Sequence, residues 1–309
     1  MKNTSMSANT GGRSYFPPTE THLIRSNHVA QTYQIQVMRP MQRRGETRRF
    51  PVVYATDGNA VFDLFKGLSW LVQAYRQDAP AFILVAIGYP GDSPVTGEIL
   101  RGRDLTFPGC PNWFDGFEMP WEGVAAPENN TNGFGGAEDF QRFIGEELIP
   151  YIDEHYETVP GDRTYFGHSV GGAFGLFTLF TQAQLFNNYI LSSPALAYHG
   201  ETAAGVHYDA NDFMLERARE FTTSGRSLTG IRLYMSVGTE EELEPLIANW
   251  HFTSSFYRMT ALLRMAAIPD LNLMTEVFAG ETHATVWPMA FMHGIQAVFA
   301  TGAWRGKHL

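Results

Sequence analysis

Several apolar runs along the chain do not alternate with polar residues. Residues 51–56 (PVVYAT) and 81–89 (AFILVAIGY) are apolar at both odd and even positions. Residues 163–166, 188–192, 231–237 and 271–278 follow the same habit, and 33–38 is mixed but rich in β-formers. A strand covered on one face alternates, so runs without alternation fit strands covered on both faces, as in a parallel sheet. Between them the period lengthens. Residues 60–75 place Val61, Phe62, Leu64, Phe65, Leu68, Leu71 and Val72 at helical spacing. Residues 137–156 do the same with Phe140, Phe143, Ile144, Leu148, Ile149 and Ile152. Glu138 and Asp139 lie near the start of that segment, where the helix dipole favours negative charge, and Pro150 is expected to kink it or end its first part. Helices are also expected over 170–180 and 287–299. Strand and helix in alternation predict an α/β fold, a mostly parallel central sheet covered by helices on both faces.

The chain has 309 residues, 44% of them hydrophobic, with no composition break, linker or repeat in its middle. A polar, disordered tail over 1–14 and a single domain over 15–309 are therefore expected. The formal net charge of −10 argues against non-specific nucleic-acid binding, which needs basic surface to displace counterions. No apolar run approaches the roughly 18 residues of a spanning helix, so no membrane partner is expected. The first residues lack the apolar stretch of a signal peptide, and a cytoplasmic location is the expectation. The single cysteine, Cys110, excludes an internal disulfide. Oligomeric state leaves no signature here.

One stretch departs from the pattern. Residues 106–136 are rich in Gly, Pro, Asn and aromatics, including Trp113, Phe114, Phe117 and Trp121, and contain no Lys or Arg. A loop this long in a compact domain is functional or disordered, and its apolar content favours a structured flap over a ligand site. Its aromatics suit a bulky apolar or aromatic acyl or alcohol group.

Gly167-His168-Ser169-Val170-Gly171 has the form G-x-S-x-G, with a strand-like run before it and a helix-like run after it. A serine at such a strand-to-helix turn adopts strained backbone angles, and its hydroxyl stands clear of the sheet edge. Side chains at the two flanking glycines, Gly167 and Gly171, would collide with neighbouring backbone. The N–H of Val170 would point where an oxyanion forms.

A serine hydroxyl needs a base, and usually a carboxylate to orient that base. On this architecture the order along the chain is Ser, acid, His. His283 follows the strand 271–278 on a loop and is favoured over His293, which falls inside the next helix. The strand 231–237 leads into Gly238-Thr239-Glu240-Glu241-Glu242. Glu241, three residues past the glycine, is the preferred acid, with Glu240 the alternative. Glu242 and Glu244 read as solvated charges. After the strand 51–56 comes Asp57-Gly58-Asn59, whose Asn59 N–H can serve as the second oxyanion donor, while Asp57 fixes the loop. No spacing suggests metal ligands and no phosphate-cradling loop is present, so no cofactor is expected.

Taken together, YATDGNAVF (54–62), VAIGY (85–89), RGRDLT (101–106), GGAEDFQRFIGEELIPYID (135–153), GHSVGG (167–172), LSSPAL (191–196), VGTEEE (237–242) and GETHATVWP (280–288) resemble the putative-esterase family of α/β hydrolases. This esterase D-like group includes bacterial ferri-siderophore esterases and feruloyl esterases, and the resemblance spans residues 23–301. It implies an α/β-hydrolase fold with Ser169 as nucleophile, His283 as base, and the backbone at Asn59 and Val170 as the oxyanion hole. The acid varies among members, some of which work as a Ser/His dyad. The expected activity is a metal-free serine ester hydrolase acting through an acyl-enzyme on a small or macrocyclic ester or lactone. An acyltransferase of the same fold, passing the acyl group to an alcohol or sugar, is the alternative. A non-catalytic binding protein is a third reading.

Overall fold

The computed structural model describes residues 18–40, 48–73, 79–91, 94–110, 134–197, 199–201, 207–245, 247–266 and 268–299. The expected tail at 1–14 and the centre of the insert, 111–133, lie outside the described residues.

Eight strands form one sheet. In chain order they are β1 (Thr19–Arg25), β2 (Thr32–Met38), β3 (Phe50–Ala55), β4 (Ile83–Gly88), β5 (Thr158–His168), β6 (Asn188–Ser192), β9 (Arg232–Gly238) and β10 (Asn272–Phe278). Their spatial order is β1-β2-β4-β3-β5-β6-β9-β10. β1 pairs with β2, and β2 with β4, in antiparallel fashion; every other pairing is parallel. A small antiparallel pair, β7 (His199–Glu201) and β8 (His207–Asp209), stands apart. The helices are α1 (Gly58–Leu71), α2 (Pro94–Leu105), α3 (Ala137–Arg142), α4 (Ile149–His155), α5 (Val170–Thr181), α6 (Ala210–Thr223), α7 (Phe252–Met265) and α8 (Val286–Phe299).

The non-alternating runs are explained by two cores. Val53, Ala55, Leu84, Ala86, Phe166, Ile190 and Tyr234 face one cluster with Phe62 and Phe65 of α1 and Phe291 and Ile295 of α8. Their neighbours Val52, Tyr54, Val85, Tyr165, Tyr189, Leu191, Leu233 and Met235 face the other, with Phe140, Phe174, Phe177 and Phe256. Successive side chains of a strand point to opposite faces, and here both faces are dry. Aromatic packing fixes the first layer. Phe65 stacks on Phe291 at 4.1 Å and meets Phe166 edge-on at 4.8 Å.

Some elements differ from expectation. The segment 137–156 is not one α-helix. A π-helical stretch, Phe143–Leu148, separates α3 from α4. Pro150 sits in the first turn of α4. Proline has no N–H to bond the carbonyl four residues back, and the wider turn accommodates its ring. β5 begins five residues earlier than expected, because its first half contains Pro160, Gly161 and Asp162 and reads as a turn. The pairing of β5 with β3 shifts register there. β1 was not expected. It is an edge strand whose alternate residues are exposed, so its sequence TETHLIR carries little apolar signal. Helices α2, α6 and α7 were also absent from the expected set. α2 contains Gly97 and Gly102, and α6 buries two alanines, Ala210 and Ala218, beside Met214 and Phe221. No helix among the described residues is long and apolar enough to cross a membrane.

The parallel core decides where chemistry can sit. β3, β5, β6, β9 and β10 all end at the same rim of the sheet, so the loops that leave them meet. Residues 57–59, 169–170, 192–195, 238–244 and 279–285 come from these five loops.

Candidate active site

Ser169 stands between β5 and α5 with φ 57° and ψ −121°. A non-glycine residue in this sparsely populated region costs about 1–3 kcal/mol and persists only where its surroundings enforce it. Hydrogen bonds on either side of the turn supply that enforcement: Ser169 N–H donates to Ser192 O (3.0 Å) and Ala195 N–H donates to Ser169 O (2.9 Å). The flanking glycines are required by space. A Cβ on Gly167 would lie 2.2 Å from the carbonyl oxygen of Gly171, and one on Gly171 would lie 2.6 Å from Thr56 Oγ1. The first collision is with backbone, as expected; the second is with a side chain of the β3 loop. Val170 opens α5, so its N–H belongs to the first turn, whose donors have no intrahelical acceptor.

β9 and β10 deliver the acid and the base. Their last residues, Gly238 and Phe278, are register partners. Beyond Gly238 the chain forms a short 3-10 turn, Glu241–Leu243. Glu241 is fully buried. Its Oε1 accepts the hydroxyl of Ser193 (2.5 Å) and the N–H of Gly238 (2.6 Å), and its Oε2 accepts Nδ1–H of His283 (2.7 Å). Three donors compensate the cost of burying the carboxylate. Glu240 turns away and accepts the hydroxyl of Thr239 at 3.1 Å. The structure therefore sets Glu241, and not Glu240, against His283.

His283 presents Nε2 as its remaining ring nitrogen. Its ring lies 4.1 Å from that of Phe252 and 4.3 Å from that of His168, the residue next to Ser169 in the chain. The imidazole thus reaches the elbow from a loop more than a hundred residues away. No hydrogen bond joins Ser169 Oγ to His283 in this structure; such contacts tighten when substrate binds. His293, the rejected alternative, lies on α8 and pairs instead with Glu276 of β10 (2.9 Å).

The β3 loop completes the rim. Asp57 has φ 60° and precedes α1. Its carbonyl accepts the N–H groups of Ala60 and Val61, leaving the Asn59 N–H without an acceptor among the described residues. The Asn59 side chain clamps the end of β4 from both sides: Nδ2 donates to Tyr89 O (2.8 Å) and Oδ1 accepts Tyr89 N–H (2.7 Å). Asp57 is held by Arg101 of α2, through Nε to Oδ1 (2.7 Å) and a second guanidinium nitrogen to Oδ2 (3.2 Å). Asp57 thus has the loop-fixing role expected of it.

His168 is buried. Its Nδ1 shares a hydrogen bond with Ser192 Oγ (2.9 Å), its Nε2 has no hydrogen-bond partner among the described residues, and Trp287 covers its ring at 4.3 Å. Burial first, then the nearby His283 and Arg101, pushes its pKa well below the ordinary 6.5. A second cation is thereby kept away from the base.

Several residues of the site escape sequence reasoning. Ser193 (φ 43°) binds Glu241, and Glu244 accepts the N–H of His283. Glu242 receives the N–H and hydroxyl of Ser254 in the first turn of α7. The reading of Glu242 and Glu244 as solvated charges is corrected by these contacts. The RGRDLT segment is a structural hub. Besides Arg101, it supplies Asp104, a buried carboxylate that accepts the hydroxyls of Tyr33 (2.7 Å) and Tyr89 (3.1 Å) and pairs with Arg103. Burial pushes the Asp104 pKa up, against the pull of Arg103 and the two tyrosines. Thr106 ends that segment and ties the described ends of the insert together, accepting Gly135 N–H at Oγ1 (2.7 Å) and Ala137 N–H at its carbonyl (3.0 Å).

A mostly parallel sheet, helices on both faces and a serine elbow at the rim define an α/β-hydrolase fold. A family model described as "Putative esterase" matches residues 111–297. The chain belongs to that family and is a carboxylic ester hydrolase. It is similar to the ferri-bacillibactin esterase BesA of Bacillus subtilis (strain 168), 28% identical over 298 residues that cover 94% of this chain and 93% of that protein. It is also similar to the siderophore enterobactin esterase of Emericella nidulans, 30% identical over 222 residues, 68% of this chain and 66% of that protein. Among solved structures, the BES protein from Bacillus cereus superposes with a TM-score of 0.72 at 26% identity, covering 97% of this chain and all of that one. The siderophore hydrolase EstA from Aspergillus nidulans shares the fold, with a TM-score of 0.71 at 23% identity over 96% of this chain and 98% of that one.

Proposed function

We propose that the chain is a serine esterase whose nucleophile is Ser169, whose base is His283 and whose orienting acid is Glu241. The hydroxyl of Ser169 attacks the ester carbonyl as its proton passes to Nε2 of His283. The N–H groups of Asn59 and Val170 receive the oxyanion, each such donor being worth about 3 kcal/mol. Collapse breaks the bond to the alkoxy oxygen, which leaves with the proton from Nε2. Water then gives a proton to the same nitrogen and attacks the acyl-serine. Collapse of this second intermediate breaks the acyl bond to Oγ, which takes the proton back from Nε2, and the acid is released. Throughout, Glu241 keeps Nδ1–H in place and stabilises the imidazolium.

The observation that carries this reading is the hydrogen-bonded line Ser193–Glu241–His283, which ends with the imidazole against His168 at the elbow. For the substrate we propose an ester or macrocyclic lactone of siderophore type, supported by the names of the relatives above. The insert, aromatic and acidic with no Lys or Arg, favours a bulky apolar or aromatic group over a multiply anionic one.

A hydrolysis screen over acyl chain length, aromatic acid esters and macrocyclic lactones, run on the wild type and Ser169→Ala, tests both parts. Turnover of lactones that disappears in Ser169→Ala supports them. Full activity in Ser169→Ala overturns the nucleophile, and turnover restricted to short linear esters overturns the substrate class. Product analysis with an added alcohol separates hydrolysis from acyl transfer.

A further inference from the structure

We propose that Glu244 is a positioning residue for the base: its carboxylate fixes the backbone of His283 while Glu241 fixes the ring. This inference rests on His283 being the base, as proposed above.

His283 sits on an exposed loop. Ala279, Gly280, Ala284 and Thr285 are open to solvent, and little apolar packing holds them. What holds the loop is the neighbouring acid turn. Thr239 N–H donates to Phe278 O (3.0 Å), Gly280 N–H donates to Thr239 Oγ1 (2.9 Å) and Glu240 N–H donates to Glu281 O (3.0 Å). These bonds stop at residue 281. Beyond it the chain closes on itself, Thr282 N–H to Thr285 Oγ1 (2.9 Å) and Val286 N–H to Thr282 O (3.0 Å), and the His283 ring packs against Phe252 and His168. Among the described residues, the hydrogen bonds that tie His283 itself to another element come from two carboxylates, Glu244 Oε1 at its main-chain N–H (2.5 Å) and Glu241 Oε2 at Nδ1 (2.7 Å).

The spacing of the two acids accounts for this grip. Glu241 and Glu244 are three residues apart on a 3-10 turn, which Glu244 N–H closes onto Glu241 O at 3.4 Å. Side chains at i and i+3 eclipse in a 3-10 helix, so both carboxylates leave the turn on one side. One contact alone would let the residue pivot about it. Two contacts, on the main chain and on the ring, fix both the position of the Cα and the direction of the imidazole. The close passage of the loops needs Gly238, where a Cβ would lie 2.2 Å from Glu281 O.

Two substitutions separate reach from charge. Glu244→Gln keeps an oxygen at the same reach without the charge; Glu244→Asp keeps the charge and withdraws the oxygen by one methylene. The anchoring role predicts that Glu244→Gln retains most of kcat. It predicts that Glu244→Asp loses on the order of tenfold to a hundredfold in kcat at little-changed KM, as small misplacements of a reacting group do. Labelling of Ser169 by a fluorophosphonate probe should slow in parallel in Glu244→Asp. Equal loss in both variants, or full activity in both, overturns the proposal. Ser169→Ala run alongside keeps the two claims distinct. If it is inactive while both Glu244 variants match wild type, only this inference fails; if it remains active, the assigned machinery fails as a whole.

Discussion

Oε2 of Glu241 lies 2.7 Å from Nδ1 of His283, and the other oxygen of the same carboxylate is saturated by Ser193 and Gly238. Glu241 therefore cannot rotate freely, and the imidazole is held in the tautomer that leaves Nε2 without a proton. Glu241→Gln presents either an amide oxygen or an amide N–H to Nδ1, and the two Oε1 donors hold the amide oxygen, which sends the N–H toward the histidine. The tautomer then inverts. The expected outcome is a fall in kcat on the order of 10³- to 10⁴-fold with little change in KM. Steady-state kinetics on an activated ester measure it, and a loss under tenfold would remove Glu241 from the machinery.

Asn59 carries a proposed oxyanion donor on its main chain and anchors that main chain with its own side chain, through the paired bonds to Tyr89 at 2.8 and 2.7 Å. Asn59→Ala leaves the donor in place but releases the loop. A part of the roughly 3 kcal/mol available from such a donor is then lost, and kcat is expected to fall about tenfold to a hundredfold. Affinity for a phosphonate analogue of the tetrahedral state should fall by a similar factor, while KM for the ester changes little. A fall in KM-related binding alone would place Asn59 in ground-state recognition instead.

The elements legible in the chain are those whose signal is local. The Ser169 elbow announces itself because two glycines, a strand and a helix crowd into a few residues. His283 follows from strand order. Glu241 required more: Glu240 is adjacent and chemically identical, and only the 3-10 turn decides which side chain faces inward. Ser193 and Arg101 were illegible for a different reason. Each acts across the sheet on a residue more than forty positions away, and a serine or arginine in a loop carries no mark of its partner. β1 and α2 failed because their burial is slight or their faces small. Pro150 was read correctly as an interruption, but sequence cannot say that the chain would absorb it with a π-helical turn.

Arg101 and Asp57 form a two-pronged ion pair, both side chains largely buried, between α2 and the loop ahead of α1. Removing one partner strands a buried charge, at a cost of about 3–5 kcal/mol. Arg101→Met alone should therefore lower stability markedly. Arg101→Met with Asp57→Asn should be less destabilising than the sum of the two single changes, by about 1–3 kcal/mol. Urea unfolding of the four proteins gives this coupling directly, and strict additivity would show that the pair contributes nothing beyond its parts.

His168 sets a pH limit on the fold. Its ring is buried among His283, Trp287 and Ser192, with Arg101 close enough to act on its charge, and its pKa in the native state lies well below 6.5. The unfolded chain takes up a proton on this residue near pH 6.5, whereas the native chain does not. Above that pH both states are neutral and no penalty exists. As pH falls below it, the unfolded state gains the proton and native stability declines, by up to about 1.4 kcal/mol per pH unit from this one group. His168→Phe keeps an aromatic ring between His283 and Trp287 and removes the titration. Its absolute stability is expected to drop through loss of the Ser192 hydrogen bond, but its stability should depend less steeply on pH as pH falls below about 6.5. Urea unfolding at a series of pH values reads the two slopes. Parallel curves for wild type and variant would mean that the native protein protonates His168 as readily as the unfolded chain does.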